Sequence, residues 1–188
     1  MFNKEQIKQL VQKYPYLQPF DAWTGKPDED YEFDCFVGDS SWLPAGWVRL
    51  FLMLVKELKP HVDHANLTDK FYFLDVKEKY GTMRIHATYI TESASLVMNL
   101  YESFSKYICE SCGDYSTRVT TGWISHLCDN CVKAHDNYKL KQRKCMTIEL
   151  WKNNIPYTIK YSYKTLRRKY NSVKAMSIDE LFDYLMKD

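Results

Sequence analysis

Along the first hundred residues the apolar positions recur with two different periods, and each change of period marks a new element. Ile7, Leu10 and Val11 share one helical stripe between residues 4 and 13, and Pro15 ends that helix. From Pro44, a residue suited to the first helical position, a second helix is expected to run through Trp47, Leu50, Phe51, Leu54 and Leu58 and to stop before Pro60. Its run Leu50–Val55 is apolar all round, which places it at the centre of a core. That run is far shorter than the roughly 20 residues a membrane span needs. The following His61-Val-Asp-His64 has no second carboxylate cluster beside it and reads as a helix-to-strand connection.

At Phe71 the period drops to two. Tyr72, Leu74 and Val76 alternate on one arm of a β-hairpin, Met83, Ile85, Ala87 and Tyr89 on the other, with the turn near Tyr80-Gly81. The opposite face carries Asp75, Lys77, Lys79, Arg84 and His86. Residues 93 to 107 return to the helical period, with Leu96, Val97, Leu100, Tyr101, Phe104 and Tyr107 on one stripe. Farther on, Met146–Trp151 and Ile155–Tyr163 flank Lys152-Asn-Asn154, which predicts a second hairpin. Ser177-Ile-Asp-Glu180 is a capping box ahead of Leu181, Phe182, Leu185 and Met186, and predicts a terminal helix.

Two Cys-x-x-Cys pairs interrupt this pattern: Cys109/Cys112 and Cys128/Cys131, fifteen residues apart. The spacing falls in the window for a four-thiolate zinc site, because each pair turns two sulfurs to one side and a hairpin between them brings the pairs together. A thioredoxin-like redox pair would instead need one motif at a helix start within a β-α-β unit. Cys35 and Cys145 lie outside the spacing and read as ordinary thiols, and four cysteines complete a tetrahedron without His126 or His135. One structural Zn2+ per chain is therefore expected on Cys109, Cys112, Cys128 and Cys131. Gly122 lies in a short hairpin between the pairs, and the segment after Cys131 is helix-compatible, so zinc ribbon and treble-clef arrangements both remain open.

The predicted fold class is α+β: a small mixed helix and β-hairpin domain over residues 1–108, an inserted four-cysteine zinc ribbon or treble-clef-like module over 109–135, and a basic β-hairpin plus C-terminal helix over 136–188. A chain of 188 residues, 45% hydrophobic and 15% aromatic, has ample material for a packed core. The N-terminal MFNKEQIKQLVQKYP has no apolar stretch ahead of a small-residue cleavage site, so the cytoplasm is the expected compartment and no membrane partner is expected.

A net charge of +2 conceals a division. Residues 1–132 sum to −5, with five carboxylates between Asp28 and Asp34 that read as a solvated loop, whereas residues 133–174 sum to +10. In that basic segment cations alternate with Tyr138, Trp151, Tyr157, Tyr161, Tyr163 and Tyr170, which suits phosphate neutralisation and base stacking. Its densest cluster is Lys164, Arg167, Arg168 and Lys169, beside Tyr161 and Tyr163. Lys77, Lys79 and Arg84 of the first hairpin could extend the same binding surface.

The segment Val76-Lys-Glu-Lys-Tyr-Gly-Thr-Met-Arg-Ile85, preceded by Gly46-Trp47 and followed by Cys109-Glu-Ser-Cys-Gly113 and Gly122-Trp123, resembles small uncharacterised proteins of bacteriophages and prophages. The resemblance covers roughly residues 45 to 131, and the basic region from Lys139 onward lies outside it. It implies a protein that binds and disables host machinery, such as an anti-CRISPR or other counter-defence inhibitor, working in the host cytoplasm.

Taken with this resemblance, the residues favour a non-enzymatic, zinc-stapled protein that binds a host protein or a ribonucleoprotein complex. The alternative is direct binding of DNA or RNA by the basic, aromatic segment 138–174. An enzyme is not expected, since the sequence has no nucleophile elbow, phosphate loop, His-Glu-x-x-His or deaminase signature.

Overall fold

The longest apolar run of the sequence becomes the helix around which the other elements pack. In the computed structural model, which describes residues 2–18, 24, 26–27, 43–133, 140–142 and 163–188, helix α1 spans Lys4–Lys13 and helix α2 spans Val48–His64. The acidic stretch 28–34, the second hairpin expected around 152–154, and Cys35, His135 and Cys145 lie outside the described residues. Leu50 to Val55 are all buried, as are Leu58 and Val62, so the first half of α2 is enclosed on every side.

Helix α2 does not stop before Pro60. It runs one turn further, and His61-Val-Asp-His64 is its last turn instead of a connection to a strand. Proline removes one backbone donor from the ladder, a cost of about 3 kcal/mol in a helix interior. The buried Leu58 and Val62 on either side hold the helix in place, and Lys59 pairs with Asp63 at 2.7 Å. The true stop is Asn66, whose φ of 53° places it in the left-handed region. The Asn66 N–H donates to Asp63 O and the Leu67 N–H to Val62 O, which is the bonding pattern of a Schellman cap.

Strands β1 (Phe73–Lys79) and β2 (Thr82–Ala87) form the expected antiparallel hairpin, with Tyr80 and Gly81 at φ 54° and 69° in its two-residue turn. The expected alternation fails on both arms: Tyr89, expected on the apolar side of the second, lies beyond β2 and is 65% exposed. A register shift between Phe73 and Asp75 inserts Leu74 as a bulge, so Phe73 and Val76 face the core while Leu74 is 61% exposed. An extra residue on one strand reverses the facing of everything before it. Helix α3 (Glu92–Ser105) starts at Thr91, whose hydroxyl accepts from the Ala94 N–H, and packs along β2. It also satisfies that strand's outer edge: Ser105 Oγ accepts from the Met83 N–H at 2.9 Å and Glu102 from the Ile85 N–H at 2.7 Å.

A three-stranded sheet in the order β4-β3-β5 follows, made of His126–Leu127, Arg118–Thr120 and Leu140–Gln142, with the short helix α4 (Asp129–Val132) after β4. Tyr163, expected to end a strand, instead begins helix α5 (Tyr163–Lys174), which carries the basic cluster Lys164–Lys169. Its apolar stripe is Leu166, Tyr170 and Val173, all buried, and strong charge on the other face masks that stripe in the sequence. Helix α6 (Ile178–Met186) has the predicted Ser177/Glu180 capping box. Both helices contribute to the same hydrophobic cluster as α1 to α3, which draws residues from Phe2 to Leu185. Among the described residues no helix is long and apolar enough to cross a membrane.

The last carbonyls of α6, left without intrahelical donors, are taken by side chains from α1, α2 and the segment between them. Lys56 Nζ donates to Tyr184 O at 2.9 Å and also to Lys187 O, Tyr14 Oη to Leu185 O, and Lys13 Nζ to Met186 O. Burial lowers the Lys56 pKa from its ordinary range.

Helix α5 makes its own ion pair to α2, Lys169 with Glu57 at 2.9 Å, where the glutamate side chain is only 18% exposed. Lys169→Glu is expected to destabilise the fold by about 1–3 kcal/mol, because it sets two carboxylates together at a half-buried site. Arg168→Glu, on the exposed face, should stay within about 0.5 kcal/mol of the parent. Urea denaturation of the two variants side by side checks the contrast.

Candidate metal centre

Each cysteine pair sits on a turn whose backbone aims both sulfurs the same way. In the first turn the Cys109 N–H donates to Asp114 O at 2.6 Å and the Gly113 N–H to Cys109 O at 3.0 Å, with Gly113 at φ 77°. Such a backbone conformation favours glycine, the residue that follows Cys112. In the second, Cys128 is the N-cap of α4, and its sulfur accepts from the Cys131 N–H at 3.4 Å. Strands β3 and β4, joined through Gly122 at φ 87°, carry the chain from one turn to the other.

The four Sγ atoms lie within 4.8 Å of one another, and Cys112 Sγ is 3.6 Å from Cys128 Sγ. A disulfide requires about 2.05 Å. Four sulfurs about 2.3 Å from a tetrahedral zinc stand about 3.8 Å apart, so the cluster has the dimensions of a metal site. All four thiols are free; Cys109 and Cys128 are buried, Cys131 is half-buried and Cys112 reaches the surface. Burial and the neighbouring thiols push the Cys131 thiol up. Cys128 moves down, since burial is outweighed by donation from the Cys131 and Asn130 N–H groups and from adjacent thiols. A bound cation would deprotonate the set outright.

Sequence reasoning missed the way this cluster is locked to the core. Gly46 precedes α2 and donates its N–H to Glu110 O at 2.8 Å; a β-carbon there would lie 2.1 Å from Cys109 O and 2.6 Å from Gly113 N. Trp47 Nε1 donates to Ile108 O at 3.1 Å. Tyr170 Oη donates to Gly113 O at 2.6 Å, so this ring, grouped in the sequence with stacking aromatics, is an internal strut with its pKa raised by burial. Lys174 pairs with Asp114, and Arg118 with Asp129 at 2.7 Å. The Gly46-Trp47 dipeptide was the one sequence signal of this contact.

The second docking point is the tip of the first hairpin. A β-carbon on Gly81 would lie 2.8 Å from Ile124 Cγ2 and 3.1 Å from His126 Cδ2. His126 is buried beside the cluster without being one of its ligand set, and its N–H donates to Glu110 Oε1 at 2.6 Å. Burial pushes the Glu110 carboxyl up to about 7, against the pull of that amide.

The residues expected to form one binding surface are divided between helix α5 and the first hairpin. Lys164 and Arg168 are exposed on α5. The Arg167 guanidinium sits 4.6 Å over the Tyr115 ring, and Lys169 is held by Glu57. Tyr163 is the first residue of α5, and Tyr161 lies outside the described residues. On the hairpin, Lys77 pairs with Asp75 and Arg84 with Glu102 at 3.1 Å. Lys79 has no ion pair among the described residues, and its Nζ lies 5.7 Å from the Tyr80 ring.

Compared with protein-family models, with curated proteins and with solved structures, the chain finds no match.

Gly46→Ala is expected to destabilise the protein by about 2–4 kcal/mol, because backbone atoms on both sides leave the added methyl no space. Tyr170→Phe should cost about 1–3 kcal/mol through the buried Gly113 carbonyl it leaves unpaired. Chemical denaturation gives both values, and hydrogen exchange should show the loss concentrated between residues 107 and 116.

Proposed function

We propose that this chain is a non-catalytic binding protein in which Cys109, Cys112, Cys128 and Cys131 hold one structural zinc ion. The observation that carries this reading is the closure of the site: four sulfurs within 4.8 Å of one another, pinned to the core through Gly46, Trp47 and Tyr170. A metal held by four thiolates keeps no position for water or substrate, so its contribution is to folding. The β3–β4 hairpin between the two turns, and the helix that begins at Cys128, support a treble-clef-like arrangement over a ribbon. On this reading the metal staples together the elements that present a surface to a macromolecular partner, in keeping with the host protein or ribonucleoprotein that the sequence suggests.

Elemental analysis should find one zinc per chain, and cobalt(II) should replace it with the absorption bands of a tetrahedral thiolate complex. Structural zinc contributes about 10–16 kcal/mol of apparent binding energy in small modules. Cys112→Ser or a strong chelator should therefore abolish hydrogen-exchange protection from about residue 107 to 133 while α1, α2 and α6 keep theirs. A folded, metal-free protein with that protection intact would refute the assignment.

A further inference from the structure

Two large aromatic side chains stand in solvent on either side of the contact between the first hairpin and the cysteine module. Tyr80 is 72% exposed at the hairpin tip, and Trp123 is 74% exposed on the β3–β4 connection, with Ile124 half-exposed next to it. Gly81 and Ile124, their immediate neighbours, are packed against each other. Each ring is thus one residue away from a single contact, although the two are distant in the sequence.

Both are held on rigid supports. The Thr120 hydroxyl donates to Trp123 O and accepts from the Ser125 N–H at 2.7 Å, which fastens the loop from inside. Tyr80 occupies a φ of 54°, in a turn position where Asn, Asp or Gly is the usual residue. A bulky side chain there carries backbone strain, and nothing in the core is gained by it, since the ring points into solvent.

The charges around the rings are sorted by sign. Glu78 turns inward to accept from the Gly81 N–H at 2.5 Å, and Glu110 accepts from the His126 N–H. Lys79 faces outward, with its ammonium over the Tyr80 ring. Strand β5 pairs with β3 in the register Thr120↔Leu140 and Val119↔Lys141, so the most basic stretch of the sequence begins alongside the strand that leads to Trp123. Flat rings outward, Glu78 and Glu110 turned to backbone amides and the Lys79 cation at the margin are complementary to bases joined by phosphates, and less so to an acidic or apolar protein surface.

The geometry points to a single-stranded nucleic-acid platform at this contact, with bases stacked on Tyr80 and Trp123 and a phosphate met by Lys79. This names the partner class for the proposed binding protein and rests on that reading, because the metal staple holds the Trp123 loop.

Fluorescence anisotropy of the metal-loaded protein with labelled oligothymidine and oligouridine of about 12 nucleotides tests it. Binding should be present at low salt and fall steeply as salt rises from about 0.05 to 0.2 M. A preference for one oligonucleotide identifies DNA or RNA as the source of the strand. Trp123→Ala and Tyr80→Ala should each weaken binding about tenfold or more, and Tyr80→Phe should restore it. Tyr80→Asn separates use from architecture: it suits the turn, so the melting temperature should hold or rise while binding falls to the Tyr80→Ala level. Absence of oligonucleotide binding at low salt in a protein with full metal content, or binding indifferent to both rings, overturns the platform and leaves the metal reading standing. So does a nuclease-resistant protein complex that depends on the same rings. A folded protein without metal that still binds through Tyr80 and Trp123 overturns the metal reading alone.

Discussion

The approach of the Gly46 backbone to the Cys109–Gly113 turn is the constraint on which the rest of the arrangement depends. The two segments meet at distances that exclude any side chain between them, and the Gly46 N–H and Tyr170 hydroxyl bond to the carbonyls of the same turn. Gly46 leads into α2 and Tyr170 belongs to α5, so the turn that carries two of the sulfurs is also the meeting point of two core helices. A metal bound there would stabilise this junction as well as its own module, since binding free energy at a site formed only on folding is folding free energy.

The remaining joints follow the same logic: backbone groups that secondary structure leaves unpaired are answered by side chains from distant elements. Lys13, Tyr14 and Lys56 take the terminal carbonyls of α6; Ser105 and Glu102 take amides on the edge of β2; Arg49 Nη1 takes Val173 O at the end of α5. A small two-stranded hairpin is marginal by itself. Here the edge bonds to α3 and the contact of Gly81 with Ile124 give it a defined position between core and cysteine module.

Charge is distributed by these joints more than by sequence neighbourhood. Lys169 and Lys174 lie in the most basic segment yet pair with Glu57 and Asp114, and Arg167 lies over Tyr115. Lys79, Lys164 and Arg168 face outward without an ion pair among the described residues.

Local chemistry was legible in the sequence wherever a short pattern decides the outcome. The capping box at Ser177, the Tyr80-Gly81 turn, the stripe of α3 and the four-cysteine spacing each predicted an element or cluster that the structure contains. The continuation of α2 through Pro60 was hidden, because burial of Leu58 and Val62 outweighs a local rule. Helix α5 was hidden as well, because its stripe of Leu166, Tyr170 and Val173 finds its complement only in the folded core. The Leu74 bulge shifts one strand by a single residue, which no periodicity records until its partner strand is in place. The set of four sulfurs is written in local spacing, whereas the joining of Gly46 to the Cys109–Gly113 turn and of Gly81 to Ile124 arises from long-range packing. Such contacts come into being only when the hydrophobic core brings distant segments to the same place.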